Sequence, residues 1–499
     1  MNNSSQHGIE ADSQRPQPLK IGWATCDITP DEPVLIAGQF HARVSEGVLD
    51  PITATALVLE NGQDHAVMVS CDLVSISHVL RDTVRREVAQ ITDGPDPRKI
   101  VLHGTHTHAA PEVRPPNVGS GHTSMGTGVD LPALPVMDYV HFASERIAGA
   151  VRRAWQGRSP GRIAFGLGHA VVGRNRRWVN ADGRSTMYGD TQTPDFSHIE
   201  GYEDHSVNLL ATRDPDGELT GLVVNVPCPA QVEEHLFRIS ADYWHETRNE
   251  LRRRLGEDLP VLAQCSAAGD QSPHLLFQQR AHRRMLGLKG RTEREEIARL
   301  IADAVEETLP HLTDAYDDSP VLKHVVEDLD LPKARLTEED VETAQEEIDG
   351  LKRTYQEEKR RIENNPALRE KPRWYRDVTR AYRRMHWYRG VIERFRLQAT
   401  DPDLSTEVHV IRLGDAAVAT NRFELYLDHG IHIKARSPAV QTFIVQIAGP
   451  GTYVPSRRSV AGGGYGSIPA SNPVGPEGGR KLAQRTVKMM ESLWENGDH

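Results

Sequence analysis

Short apolar runs that alternate with helical stretches constrain this chain more than any other feature. "ATALVLE" (54–60), "HAVMVSCDLV" (65–74) and "KIVLHGTHTH" (99–108) read as strands, with Ser77–Ile91 as a helix between the second and third. "LTGLVVNVP", the helix-like Asp242–Leu255 and "LPVLAQCSA" repeat that rhythm. Strands this continuously apolar are buried on both faces, so the pattern predicts an α/β fold of mixed sheets covered by helices. Functional loops in such a fold are expected at the strand C-termini. The chain has 499 residues, enough for one large catalytic domain with insertions. We read 19–499 as that domain and the polar residues 1–18 as a disordered tail.

Residues 336–399 break the rhythm. They are densely charged, with apolar residues at helical spacing, and predict two long amphipathic helices separated near Asn365-Pro366. This inserted hairpin needs a partner surface for its apolar stripe, so a solvated arm, a lid or a homo-oligomer contact is expected rather than a direct catalytic role. Strands return at 406–421 and 440–449. The Gly/Pro-rich stretch 449–479 then predicts a long functional loop before a closing helix, Arg480–Glu495.

The net charge of −11 argues against a general nucleic-acid binder, which carries a basic footprint. No run of about 18 apolar residues is present, so no membrane span is expected. The cysteines at 26, 71, 228 and 265 form no CxxC pair, and the first eighteen residues show no export signal. Reduced thiols in a cytoplasm are the expectation.

"HGTHTHAAP" (103–111) places three histidines at the end of a buried strand. A His-x-His pair there aims two imidazoles into one cleft, and imidazole is the commonest transition-metal ligand. A polar surface pair is the competing reading of such a motif taken alone. His103 would point away from His106 along a continued strand and is read as a packed residue. Asp72 and Asp270, in loops after strands, are candidate orienters, with a turn-shaping role the competing reading for Asp270. His245 is read as supporting or structural.

The stretch "THTHAAP" resembles the Thr-His-Thr-His-Ser-Gly-Pro signature of the neutral (alkaline, non-lysosomal) ceramidases, zinc amidohydrolases that split the N-acyl bond of ceramide. "TCDITP" (25–30), "GVLDPITATALVLE", "SCDL" (70–73), "GRNR" (173–176), "ISADY" (239–243) and "AAGDQSP" (267–273) follow in that family's order. The arginine usual near its Asp-Pro strand is missing. The resemblance spans 21–466, interrupted by the hairpin, and the family's C-terminal immunoglobulin-like domain finds no counterpart.

The resemblance implies zinc held by His106, Glu424 (in "TNRFELYLDHG") and Tyr453 (in "GTYVP"), with His108, Arg176 and Tyr465 contacting substrate. Tyr453 and Tyr465 stand twelve residues apart, as the family's two tyrosines do. The family's second ligand histidine falls on Cys228, in "NVPCPAQVEEH". Cys228 is either a fourth zinc ligand, since thiolate binds zinc well, or a small buried thiol, with Gln231, His235 or nothing in the ligand's place. The implied activity is attack of metal-activated water on a C–N amide bond. Polar loops such as "GRNRRWVNADGRSTMYGD" suit a small polar N-acyl substrate better than a lipid. A metal enzyme of carbohydrate metabolism on the same scaffold, cleaving a glycoside or isomerising a sugar, is the second reading. A non-catalytic ligand-binding relative is the third.

Overall fold

The computed structural model describes residues 17–115 and 126–495. The expected tail therefore lies outside the described residues, save its last two positions. Three sheets repeat one plan: three antiparallel strands, a helical crossover, and a fourth strand parallel to the third. The first uses Lys20–Asp27, Thr53–Glu60, His65–Cys71 and Ile100–Gly104, crossing through the helix His78–Val88. The second uses Arg162–His169, Ser206–Arg213, Leu219–Val226 and Val261–Cys265, crossing through Tyr243–Leu255. The third uses Leu322–Pro332, Asp403–Leu413, Ala416–Thr420 and Gln441–Val445, crossing through Leu427–Arg436. In the second and third sheets the longest excursion joins the first strand to the second, and in the third sheet it is the helical hairpin.

Alternation along these strands decides their packing. Leu57, Met68, Leu210, Val223, Leu262, Ile411, Val418 and Phe443 turn toward one shared core among the three sheets. Their neighbours Val58, Val67, Val69, Leu209, Val224, Ala263, Val410 and Ile444 turn outward under the covering helices. Polar side chains tie the sheets together at the centre. Ser70 Oγ donates to Ala263 O at 2.6 Å, joining the first sheet to the second. Asn225 Nδ2 donates to Gln264 Oε1 at 3.1 Å and to Ile444 O at 2.8 Å, joining the second to the third.

Local signals set the helix ends. Ser77 accepts from Leu80 N at the first crossover helix, and Thr337 with Asp340 forms a capping box at the hairpin's first helix. That helix runs Glu338–Asn364 and stops before Pro366, and its partner runs Arg376–Leu397. The apolar stripe of the pair is covered by this chain's own segments. Ile348, Met385 and Val391 pack with Leu336 and Ala470, and Val378 with Ala42 and Ile362. Ala42 N donates to Thr379 Oγ1, and Val44 N to the Tyr375 hydroxyl.

The closing helix starts earlier than the sequence suggested, at Gly475 rather than Arg480. Its glycines read as loop but serve close packing: a Cβ at Gly479 would lie 2.5 Å from His429 Nε2. Pro476 in the first turn has no hydrogen bond to lose there. Among the described residues, no helix is long and apolar enough to cross a membrane.

Asn225→Ala would leave Ile444 O and Gln264 Oε1 without their buried donor. We expect a loss of about 1–3 kcal/mol for each orphaned acceptor, read as a lower urea midpoint at unchanged slope. An unmoved midpoint would contradict this account of how the sheets are joined.

Candidate active site

The ends of the three parallel crossovers meet. Gly104 N donates to Ile447 O at 3.1 Å, and Gln446 N donates to Cys265 O at 3.0 Å. Immediately beyond these contacts the chain leaves the sheets, and His106 and Ile447 take positive φ values of 65° and 59°. A β-branched residue in that region is strained, and such strain persists only where the surroundings over-determine it.

His106 is turned inward by its backbone. Its N–H reaches Leu73 O, and its Nδ1 lies 2.7 Å from Val74 O. A carbonyl only accepts, so Nδ1 carries a proton and Nε2 faces the cleft. Nε2 stands 3.4 Å from Glu424 Oε2 and 3.4 Å from His108 Nε2. Glu424 follows the third strand of the third sheet and pairs in parallel with Tyr453 in a two-residue ladder. The same carboxylate accepts from the Tyr453 hydroxyl. Burial opposes its charge, but His106 and Arg176 outweigh burial and hold its pKa below the usual range.

Arg176 fixes the rest. Its guanidinium donates to Gly269 O at 2.9 Å, the Tyr453 hydroxyl at 3.2 Å, the Tyr188 hydroxyl at 3.0 Å and Gln231 Oε1 at 3.1 Å, and lies 3.6 Å from Glu424 Oε2. With its oxygen committed to Arg176, Gln231 turns its amide nitrogen to His108 Nε2 at 2.6 Å. His108 then carries its proton on Nδ1, 3.7 Å from Glu234 Oε2. Burial, reinforced by His106, Arg43 and Arg176, drives the His108 pKa well below its ordinary value, so this imidazole is neutral. Gly38 is required beside it: its φ is +96°, and a Cβ would meet His108 Cγ at 2.6 Å.

Tyr465 closes the cleft from the glycine-rich loop. Its ring lies 5.5 Å from that of Tyr453, with a hydrogen bond between the two hydroxyls' side chains. The loop is held by Arg177, which donates to Tyr465 O and Gly463 O at 2.6 Å each and pairs with buried Glu200 at 2.7 Å.

No family profile matches the sequence, and no curated protein does. Solved structures do. A neutral ceramidase from Pseudomonas aeruginosa superposes with a TM-score of 0.66 over 96% of this chain and 75% of its own, at 17% identity. A ceramidase complexed with C2 gives 0.65 over 96% and 76%, at 16% identity. The fold is that of the neutral ceramidases. About a quarter of each of those chains lies outside the match.

Within this ceramidase fold, six of the seven residues singled out in the sequence come together: His106, His108, Arg176, Glu424, Tyr453 and Tyr465. Cys228 does not join them, a correction to its place in the ligand set. Its sulfur lies 3.5 Å from its own neighbour's carbonyl, Pro229 O, and its side chain is wholly buried in the second sheet's outer core beside Tyr243. Burial pushes its thiol pKa well up, so it is a neutral packing residue. Gln231 occupies the cleft in its stead. Tyr188, Arg177 and Glu234 were not legible as site residues, because each is placed by a long-range contact with no local motif. His103 is a wholly buried strand residue. Asp72 is spent on a bidentate pair with Arg248 at 2.8 and 2.9 Å, a structural role. Asp270 accepts from Leu427 N and Asn175 Nδ2 and so shapes the turn that carries Arg176. His245 meets only Asn249, at the surface.

Among the described residues, no group of three or more His, Cys, Asp or Glu side chains forms a metal cage. The donors nonetheless suit a cation once the phenol is counted. His106 Nε2 and Glu424 Oε2 face each other at 3.4 Å, and both are lone-pair donors to a metal once His106 is neutral. Tetrahedral zinc with N and O ligands at its usual bond lengths separates neighbouring ligands by roughly 3.3 Å. The Nδ1–carbonyl bond of His106 is the orienting contact that metal-bound histidines commonly have.

Buried Cys228 should stay unalkylated by iodoacetamide in the native protein both before and after chelator treatment, as read by mass spectrometry. Labelling of Cys228 that appears only after chelation would restore it as a metal ligand.

Proposed function

We propose that this chain is a zinc-dependent amidohydrolase that cuts the C–N bond of a small polar N-acyl compound. The observation that carries the reading is the close approach of His106 Nε2 to Glu424 Oε2, framed by Tyr453 and by the fixed positive charge of Arg176. The similarity in fold to ceramidases, which are named for amide cleavage, supports the same reaction class. His106, Glu424 and Tyr453 would hold the zinc, leaving an open side toward His108 and Tyr465, as catalytic rather than structural sites do. A zinc ion there would supply Lewis acidity for the substrate carbonyl and for the attacking water.

The remaining residues divide the work. Tyr465 presents a hydroxyl at the mouth of the cleft, suited to donate to the oxygen that gains charge as water adds to the carbonyl. Arg176 is held by four acceptors on its two terminal nitrogens and acts as an immobile cation beside that oxygen. His108 is neutral, and its Nε2 accepts from the Gln231 amide, so the ring is held in place at the open side of the cleft, which suits the substrate-contacting role that the resemblance implied for it. A cleft lined by hydrogen-bonding side chains suits a polar substrate better than a lipid chain. The four free cysteines suit a reducing compartment.

Two variants test the division. Glu424→Gln should lose zinc and amine release together, because a neutral amide replaces the anionic ligand. Tyr465→Phe should keep zinc and lower turnover about 10²–10³-fold, the usual loss for one oxyanion donor. Amine release from a panel of N-acyl compounds and metal content are the measurements. A zinc-loaded protein that releases no amine from any of them would overturn the reading.

A further inference from the structure

The hairpin does more than cover apolar surface. Its second helix carries Arg376, Arg380 and Arg384 four residues apart, and so on one face. All three line a cleft of about 520 Å³ whose far wall is the 39–41 segment and Tyr465. Three rings meet in the lining. Phe40 stands 5.0 Å from Trp387 and 6.1 Å from Tyr465, and Trp387 stands 5.8 Å from Tyr465. The cleft is thus continuous with the candidate active site through the tyrosine at its mouth.

The charges in this cleft are poorly matched. Arg376 and Arg384 have no carboxylate partner among the described residues, and Arg380 has only Asp377, 3.7 Å away and largely exposed. An exposed pair of that kind neutralises little. Glu234, the acid beneath, is shared among His108, His274 and His235 at 3.7 to 3.9 Å. His41 adds no positive charge of its own: burial, helped by Arg43, Arg376 and Arg380, drives its pKa down to about 3. In a chain of net charge −11, a row of three guanidiniums with one exposed carboxylate beside it, over an aromatic cleft, is suited to bind an anion.

The geometry points to a carboxylate-bearing amide as the substrate class. The carboxylate would meet Arg380 and Arg384, and an apolar or aromatic group would rest on Phe40 and Trp387. The amide would then be directed toward Tyr465. This deepens the amidohydrolase reading and rests on it for the reaction, but binding in the cleft stands apart from turnover.

Calorimetry on the full chain separates the two. N-acetyl-L-phenylalanine should bind at least tenfold tighter than N-acetyl-L-phenylalaninamide, which differs only in lacking the charge. High salt should narrow that difference, and Arg380→Gln/Arg384→Gln should abolish it. Arg380 is exposed and Arg384 only half-buried, so the variant is expected to fold, and an unchanged circular dichroism spectrum would verify this. Equal affinities, no binding of either compound, or a preference that survives the double substitution would overturn the proposal. Selective binding of the acid by a zinc-loaded protein that releases no amine would leave this inference standing and remove the hydrolase reading instead.

Discussion

Two backbone hydrogen bonds, Gly104 N to Ile447 O and Gln446 N to Cys265 O, close the C-terminal ends of three sheets on one another. Everything in the site depends on that closure. Each sheet delivers its loops to the same junction: His106 from the first, Gln231 and Gly269 from the second, Glu424 and Tyr453 from the third. The shared apolar core beneath makes the junction stiff, because interiors packed from three sides have no direction in which to relax. That stiffness is what allows His106 and Ile447 to hold backbone conformations other residues of their type avoid.

Stiffness also explains how buried charge is tolerated. Arg176 and Arg177 are adjacent, both nearly inaccessible, and point to different tasks. One is encircled by acceptors at the junction; the other pairs with Glu200 and holds the loop that carries Tyr465. Arg43 does the same for the opposite wall, donating to the carbonyls of Ala37, His108, Glu234 and Leu236. Acceptors around the terminal nitrogens offset the cost of burying each guanidinium. These arginines therefore fix loop positions as firmly as strands would, and removal of any one leaves several acceptors without partners.

Much of this was legible in the sequence. Strand runs apolar at every position announced sheets buried on both faces, and "THTHAAP" at a strand end announced imidazoles in a cleft. The family resemblance paired Tyr453 with Tyr465, and the structure sets their rings 5.5 Å apart. The hairpin was legible too, since charge and helical spacing need no tertiary context. What was not legible arises from contacts distant in sequence. The equivalence of three sheets is hidden because their first connections differ wholly in length and composition. Cys228 sits in alignment with a ligand, yet the strand end turns its side chain into the outer core and leaves Gln231 to face His108. The docking of the hairpin against 39–46, which makes the cationic cleft, depends on Thr379 and Tyr375 reaching backbone groups more than 300 residues away.

The central claim is that the ends of the first and third sheets bring His106, Glu424 and Tyr453 to one proposed cation position. Anomalous scattering at the zinc edge, from crystals grown with zinc, tests it directly. The account predicts one strong peak about 2.0–2.2 Å from His106 Nε2, Glu424 Oε2 and the Tyr453 hydroxyl. A peak bonded to Cys228, or no peak among these three side chains, would contradict it.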